Sequence, residues 1–195
     1  LGFRPAPMHL HAELTHQLGL SQSEADLLAN IRKTTRYEIK RAQRLAIRIT
    51  ASTKPSQVEK FYRLQMQTAK RQEFIGFSQK YLSEQFRIFA PDDQALLYTA
   101  YLNKQILAQA LIIFYGQEAD YHYGASSTAG RKYPGSYSIQ WAAIKEAKRR
   151  GLRRYNFWGV APADQPHHRF YGVSLFKRGF GGYDLHYLPA HDLVI

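Results

Sequence analysis

The sequence predicts an α+β fold, a mixed and mostly antiparallel sheet flanked by helices. Three observations carry that prediction. Two amphipathic helical stretches come early, three apolar runs separated by short turns fill residues 95–124, and the remainder alternates helix with strand. A length of 195 residues suffices for one domain with a real core, and 45% hydrophobic against 22% charged residues is an ordinary globular balance.

Taken in order, residues 1–8 read as loop and 9–18 as a strand with Leu10, Ala12 and Leu14 on one face. Ser21 and Glu24 form a Ser-x-x-Glu capping box for a helix that reaches Ile31. A second helix is expected over 34–45, with Ile39, Ala42 and Ala46 inward. Its outer stripe holds Arg36, Lys40 and Arg44 at every fourth position, with Lys33 nearby and Glu38 as the single balancing acid. We read that stripe as a phosphate-contacting surface rather than a merely solvated face. A strand at 47–51 leads to a helix over 56–73, marked by Val58, Tyr62, Met66 and Ala69, and then to a shorter helix over 79–89. The meander comprises 95–102, 106–115 and 119–124, with a hairpin turn at Asn103-Lys104. A loop over 126–134 precedes a helix over 136–150 that Gly151 stops. A strand at 153–158, a Pro/His-rich loop to His168, a short helix, and strands at 183–188 and 192–195 complete the chain.

The short helix runs into Phe176-Lys177-Arg178-Gly179-Phe180-Gly181-Gly182, two cations between aromatics with glycines close behind. The glycines permit a helix cap, positive φ and close backbone approach. A lysine whose stem lies among aromatics and whose head enters a pocket can meet negative charge developing on a substrate. The same residues also suit a basic helix end facing its own dipole. Tyr121 and Tyr123, expected on one face of a strand ending at Gly124, read either as core tyrosines or as phenols lining an acceptor channel.

Net charge is +12, from 27 Lys+Arg against 15 Asp+Glu, which points to a polyanionic partner: RNA, a phosphorylated precursor or an anionic membrane surface. Fourteen Tyr and eleven Phe add stacking surfaces. Without cysteine there is no disulfide, zinc-thiolate site or thiol nucleophile. Eight histidines show no His-x-x-x-His spacing and no Gly-x-Ser-x-Gly accompanies them, so no metal site and no hydrolase triad is expected. No apolar run has the length of a membrane span, and no signal peptide is visible. The chain begins at Leu1 rather than Met, and the expectation is a fragment with a further segment upstream.

The order of elements resembles the acyltransferase fold of the GNAT superfamily, in which two central strands splay to admit an acyl donor. Enzymes of that fold that use acetyl-CoA hold its pyrophosphate in a glycine-rich turn at a helix start. Here the corresponding run is Gly130-Arg131-Lys132-Tyr133-Pro134-Gly135-Ser136, with one Gly at the helix start and no second Gly in register. That is a poor pyrophosphate nest and argues against a CoA donor.

Four runs in order carry a narrower resemblance. They are Lys33-Thr34-Thr35-Arg36-Tyr37-Glu38-Ile39 with Ala42, Tyr123-Gly124-Ala125-Ser126, Tyr155-Asn156-Phe157-Trp158-Gly159-Val160, and Phe176-Lys177-x-Gly179-Phe180-Gly181-Gly182. Together they resemble the Fem family (FemA, FemB, FemX) of aminoacyltransferases that build peptidoglycan interpeptide bridges. The resemblance implies two GNAT-like domains, of which residues 20–195 would be the second and 1–19 a lead-in strand from the first. It implies transfer of an amino acid from aminoacyl-tRNA, with no cofactor, to the stem-peptide amine of a nucleotide-linked or lipid-linked precursor. The setting would be the cytoplasm, with peripheral contact at the inner face of the membrane as a further expectation. Lys177 would meet the oxyanion, Phe176 would shape the channel, Tyr123 would lie near the reacting centre and Tyr81 in the precursor groove. Family members acting on nucleotide precursors place an arginine four residues before that tyrosine. Phe77 stands there instead, and Arg71, at a different spacing, is the candidate to compensate. The interval 54–90 has no room for the helical hairpin that some Fem proteins insert. Two other functions fit the same features: a CoA-dependent N-acyltransferase, and a non-catalytic RNA- or envelope-binding module.

Overall fold

The structure is a computed structural model that describes residues 2–8 and 11–193. Its elements are β1 (Phe3–Pro5), β2 (Leu14–Gly19), α1 (Glu24–Asn30), α2 (Lys33–Arg44), β3 (Arg48–Ser52), α3 (Ser56–Gln72), α4 (Gln79–Phe89), β4 (Ala95–Leu102), β5 (Gln105–Tyr115), β6 (Glu118–Ser126), α5 (Gly135–Arg149), β7 (Arg154–Gly159), α6 (Tyr171–Arg178), β8 (Tyr183–His186) and β9 (His191–Leu193). Seven strands form one sheet in the order β3-β4-β5-β6-β7-β2-β8, while β1 and β9 pair as a separate ribbon. This is the mixed, mostly antiparallel α+β architecture that the sequence predicts, and β2, the expected lead-in, is an interior strand of it.

The sheet is apolar on both faces because helices cover both. On one face α1, α2 and α5 bury Leu27, Ile39, Ile139 and Ile144 against Ile112, Tyr155 and Phe157. On the other, α3 and α4 bury Phe61, Leu82 and Phe86 against Leu97 and Leu111. Phe86 is fully buried, and its truncation to Ala is expected to cost about 3–5 kcal/mol.

All neighbouring strands run antiparallel except β6 and β7. These are parallel and pair only through Glu118–Arg154, Ala119–Tyr155 and Asp120–Asn156. Beyond Asp120 they part. A parallel pair with so short a ladder leaves a wedge between its strand ends, and the chain puts its buried lysine there.

Several local expectations are corrected. Residues 3–5 are a strand, paired with residues 191–193 at the far end of the chain, a partnership with no local signal. His9 and Leu10 of the expected first strand lie outside the described residues, as do Val194 and Ile195 of the expected last one. The cap of α1 is Ser23, whose hydroxyl accepts from the Asp26 amide (3.1 Å) and donates to the Asp26 carboxylate (2.6 Å), two residues beyond the expected box. Ala46 is not inward: the chain turns there with φ 53° after α2 has ended. On α3 the inner face centres on Val58, Phe61, Gln65 and Ala69, and Tyr62 and Met66 flank it.

Candidate active site

Lys177 comes from the last turn of α6, which the sequence ends at Gly179. That glycine is in the right-handed helical region (φ −61°), so its backbone conformation asks nothing special. The conformational demand falls on Gly182, at φ 101°, where a Cβ would strike the Gln17 backbone of β2. The turn thus presses α6 onto the sheet. Phe176 packs edge-on against Tyr137 (4.9 Å) and Phe180 (5.4 Å), and Phe180 stacks on Phe157 (5.3 Å). Lys177 is left 8% exposed, with Nζ donating to the Gly159 carbonyl at the end of β7 (2.6 Å). Its Nζ is 5.9 Å from the ring centroid of Tyr121 on β6. The ammonium therefore sits in the wedge between the parted strands, behind the Tyr121 ring, with no carboxylate partner among the described residues. Burial lowers its pKa to about 7. Arg178, its neighbour, is held by Asp184 and by the Ala161 carbonyl, so it is a structural cation.

Tyr121 and Tyr123 do not share a face. Opposite β5, Leu111 meets Tyr123 and Ile112 meets Tyr121, so His122 is the extra residue of a β-bulge. The bulge turns Tyr121 to the α5 side and Tyr123 to the α3–α4 side. Gly124 makes this possible, because a Cβ there would collide with the Tyr121 hydroxyl. A glycine inside a strand was the sequence signal for such a break.

On the Tyr121 side lies a cleft of about 620 Å³. Tyr121, Gly124 and Phe176 line it together with Arg71, Arg131 and Arg169. It lies at the N-terminus of α5, where no side chain caps the helix and the dipole is positive. Arg71 donates Nη2 to the Ser126 carbonyl (3.0 Å), while its Nε and Nη1 are buried without partners. Burial, and then the charge of Arg131, lower its pKa. A cleft with unpartnered guanidinium donors, a helix N-terminus and no acid on its wall is built for an anion.

On the Tyr123 side the side chains form an aromatic band. Phe77 stacks on Tyr81 (4.9 Å) and lies 5.2 Å from Tyr123. His122 lies 4.2 Å from Tyr123 and 5.3 Å from Trp158. Its pKa is lowered to about 4 by burial and then by His11, so it is neutral at pH 7 and takes the Gln85 amide as donor (2.8 Å). The sequence-derived set is therefore divided. Lys177, Phe176, Tyr121 and Arg71 surround the wedge and its basic cleft, whereas Tyr81 and Tyr123 belong to the aromatic band. Arg71 lines the basic cleft, whereas Phe77 and Tyr81 stack on each other in the aromatic band.

The basic stripe on α2 stands apart. Lys33, Lys40 and Arg44 are exposed, with Arg44 over the Tyr37 ring at 5.4 Å. Arg36 is engaged elsewhere: its Nη1 donates to the carbonyls of Ala29 (2.6 Å) and Ile31 (3.0 Å), closing α1. Sequence reasoning missed Arg169 and the acids Glu118 and Asp120, which share one face of β6. Among the described residues no group of three or more His, Asp or Glu is placed to hold a metal, and no helix is long and apolar enough to cross a membrane.

A splayed parallel pair at the heart of an otherwise antiparallel sheet, with the start of α5 beside the opening, is the arrangement expected from the order of elements. Comparison with known proteins narrows it. The FemAB family pattern matches residues 8–106 and 99–190, and the chain belongs to that family. Aminoacyltransferase FemA of Staphylococcus aureus is 37% identical over 71 residues, a match covering 36% of this chain and 17% of that protein. Among solved structures, FemX superposes with a TM-score of 0.90 at 17% identity, covering all of this chain and 66% of FemX. The L-PGS structure from Bacillus licheniformis follows at 0.62 and 14% identity, over 94% of this chain and 59% of that one. At those identities the two structures speak for the fold.

Proposed function

We propose that this chain carries the transfer site of an aminoacyltransferase, which moves an amino acid from aminoacyl-tRNA to the stem-peptide amine of a peptidoglycan precursor. The observation that carries the proposal is the lone, buried ammonium of Lys177 at the foot of the wedge. FemA, a relative 37% identical to this chain over 71 residues, is an aminoacyltransferase by name. The basic cleft supports a polyanionic donor, whose 3′ end would enter past Arg71, Arg131 and Arg169 toward Tyr121 and Phe176. No cofactor is needed in this reading. A tRNA donor places the reaction in the cytoplasm, and a lipid-linked acceptor would bring it to the inner face of the membrane.

The chemistry follows from the geometry. The free amine attacks the ester carbonyl, the C–N bond forms, and the carbonyl oxygen becomes an oxyanion. Collapse breaks the ester C–O bond, the ribose hydroxyl leaves, and the proton lost by the amine balances the alkoxide. Lys177 has three N–H donors, of which the Gly159 carbonyl occupies one. The other two can meet the oxyanion in a site of low dielectric, where a charge-assisted bond is strongest. Burial disfavours the charged form of Lys177, and the developing oxyanion favours it.

The test is direct. Purified protein, charged tRNA and a precursor bearing the free amine should yield the aminoacylated precursor. Acetylation of the same amine from acetyl-CoA, with the charged tRNA left intact, would replace this reading with the CoA-dependent one.

A further inference from the structure

On the sheet face away from Tyr121, the parting of β6 and β7 opens into a second cavity of about 550 Å³, within the range of about 300–1,000 Å³ usual for small-molecule sites. Its floor is Asp120 and Glu118 of β6, Asn156 of β7 and Thr15 of β2, and apolar wall comes from Trp158 and Leu188. Glu13 and Asp192 add two more acids. Four carboxylates in one cavity of a chain with net charge +12 mark a local inversion of charge.

Two observations go beyond the acidic cluster itself. Thr15 is 3% exposed, and its hydroxyl has no hydrogen-bond partner. Asp120 Oδ1 is buried and unpartnered as well. Its neighbour Glu118 is satisfied by Asn156 Nδ2 and by Arg154 Nε, each at 2.9 Å. Buried polar groups in a folded protein are almost always bonded, and such orphans ask for an occupant. Asp120 pairs with Asn156 and Thr15 with Gly159, on opposite sides of β7 and three residues apart along it, which separates them by about 12–14 Å. One small ion cannot reach both, but an amino-acid derivative can.

The geometry points to a binding site for a primary ammonium group on an aliphatic stem, with Asp120 as its counter-ion and Thr15 as the anchor for a polar atom farther along the ligand. The stem would lie along Trp158 and Leu188. Resting on the transferase reading, this ligand is the acceptor amine, held on the side of the sheet away from the donor cleft. Burial, and then the adjacent Glu118, push the Asp120 carboxyl up to about 8, so the empty cavity keeps a proton that an arriving ammonium displaces. The charged and titratable groups facing Asp120 are Glu118 on β6, Arg154 on β7, His11 and Glu13 before β2, Tyr187 after β8 and Asp192 on β9.

The probe is Nα-acetyl-lysine amide, which presents only a side-chain ammonium, with the norleucine analogue as the amine-free control. Calorimetry on this chain should show binding that strengthens about 30-fold between about pH 6.5 and about pH 9, while the probe itself stays protonated. At pH 7 binding should release up to about one proton to the buffer. Asp120→Asn should lose at least about tenfold in affinity at the higher pH and abolish the pH dependence. Thr15→Val, which keeps the shape, should lose a few-fold, and a thermal melt of each variant verifies folding. Equal affinity for the norleucine analogue, unchanged binding in folded Asp120→Asn, or no binding of the lysine probe overturns the proposal. The measurement uses no tRNA, so its failure leaves transfer from charged tRNA untouched, and a failed transfer assay leaves it readable.

Discussion

The two cavities at the parting of β6 and β7 are similar in volume, about 620 and 550 Å³, and opposite in character. The cleft beside α5 gathers three arginines and a helix N-terminus. The cavity on the other face gathers four acids. One short parallel ladder separates them, and adjacent residues of β6, Asp120 and Tyr121, look into one each. The difference teaches that charge in this chain is sorted along β6, with arginines gathered about its C-terminal end and acids about its N-terminal end. An anionic donor and a cationic acceptor would each be repelled from the wrong side, so the two substrates can approach the same wedge without competing. Lys177 lies between, its pKa lowered by burial, and therefore sensitive to any charge that forms beside it.

The comparison can be broken most severely at Gly124. A Cβ there meets the Tyr121 phenol, so Gly124→Ala should tilt the ring into the wedge. Misplacement by about 1 Å can cost on the order of 10²-fold in turnover. Ring carbons of Tyr121 would meet that Cβ as well as the hydroxyl, so Tyr121→Ala is the partner change: adding Gly124→Ala to Tyr121→Ala should cost little more turnover, and a large further loss would mean that Gly124 acts through something other than the ring.

A second effect is on stability. The amine of Lys177 titrates at about 7 when folded and near 10.4 when unfolded. Between those values the unfolded chain holds a proton that the folded chain has released, so wild-type stability rises with pH across this window. Below about pH 7 the full cost of burying the ammonium remains. Lys177→Met should therefore melt higher than wild type, most at pH 6 and least near pH 10. A lower melting temperature at pH 6 would contradict the isolation of that charge.

Smaller effects belong to the basic surfaces. Arg131→Ala and Arg169→Ala should each weaken tRNA binding and reduce the slope of log K against log salt by about 0.7, the single-strand value per phosphate. Lys40→Glu with Arg44→Glu should act similarly if α2 touches RNA, and an unchanged slope would return that stripe to solvent. Arg36→Met should differ in kind. It removes the closure of α1 and is expected to cost about 1–2 kcal/mol in a denaturation experiment, with little change in salt dependence.

Much of this was legible beforehand, for identifiable reasons. The strands at 95–102 and 106–115 and the helix at 79–89 follow from apolar periodicity and turn residues, which are local. The Phe176–Gly182 run announced a buried lysine because aromatics and glycines crowd it. What stayed hidden is non-local. The β1–β9 ribbon joins the two ends of the described chain, and nothing near residue 3 signals residue 193. The bulge at His122 reversed the relation of Tyr121 to Tyr123, since inserting one residue moves a strand's side chains to the other face. Arg36 looked free because its partners are carbonyls, which have no sequence signature. The acids of β6 could have been noticed: Glu118 and Asp120 alternate on one face of a strand that is otherwise apolar or aromatic.

The central claim is that the charge of Lys177 stabilises the transition state of transfer. The decisive measurement is single-turnover transfer from charged tRNA by wild type, Lys177→Met and Lys177→Arg, with the affinity for each substrate measured alongside. Lys177→Met should lose about 10²–10³ in turnover with both affinities nearly unchanged, because the oxyanion exists only along the reaction path. Lys177→Arg keeps the charge without the compact head, and should recover part of the loss. Near-normal turnover in a folded Lys177→Met protein would show that the buried lysine serves only the fold.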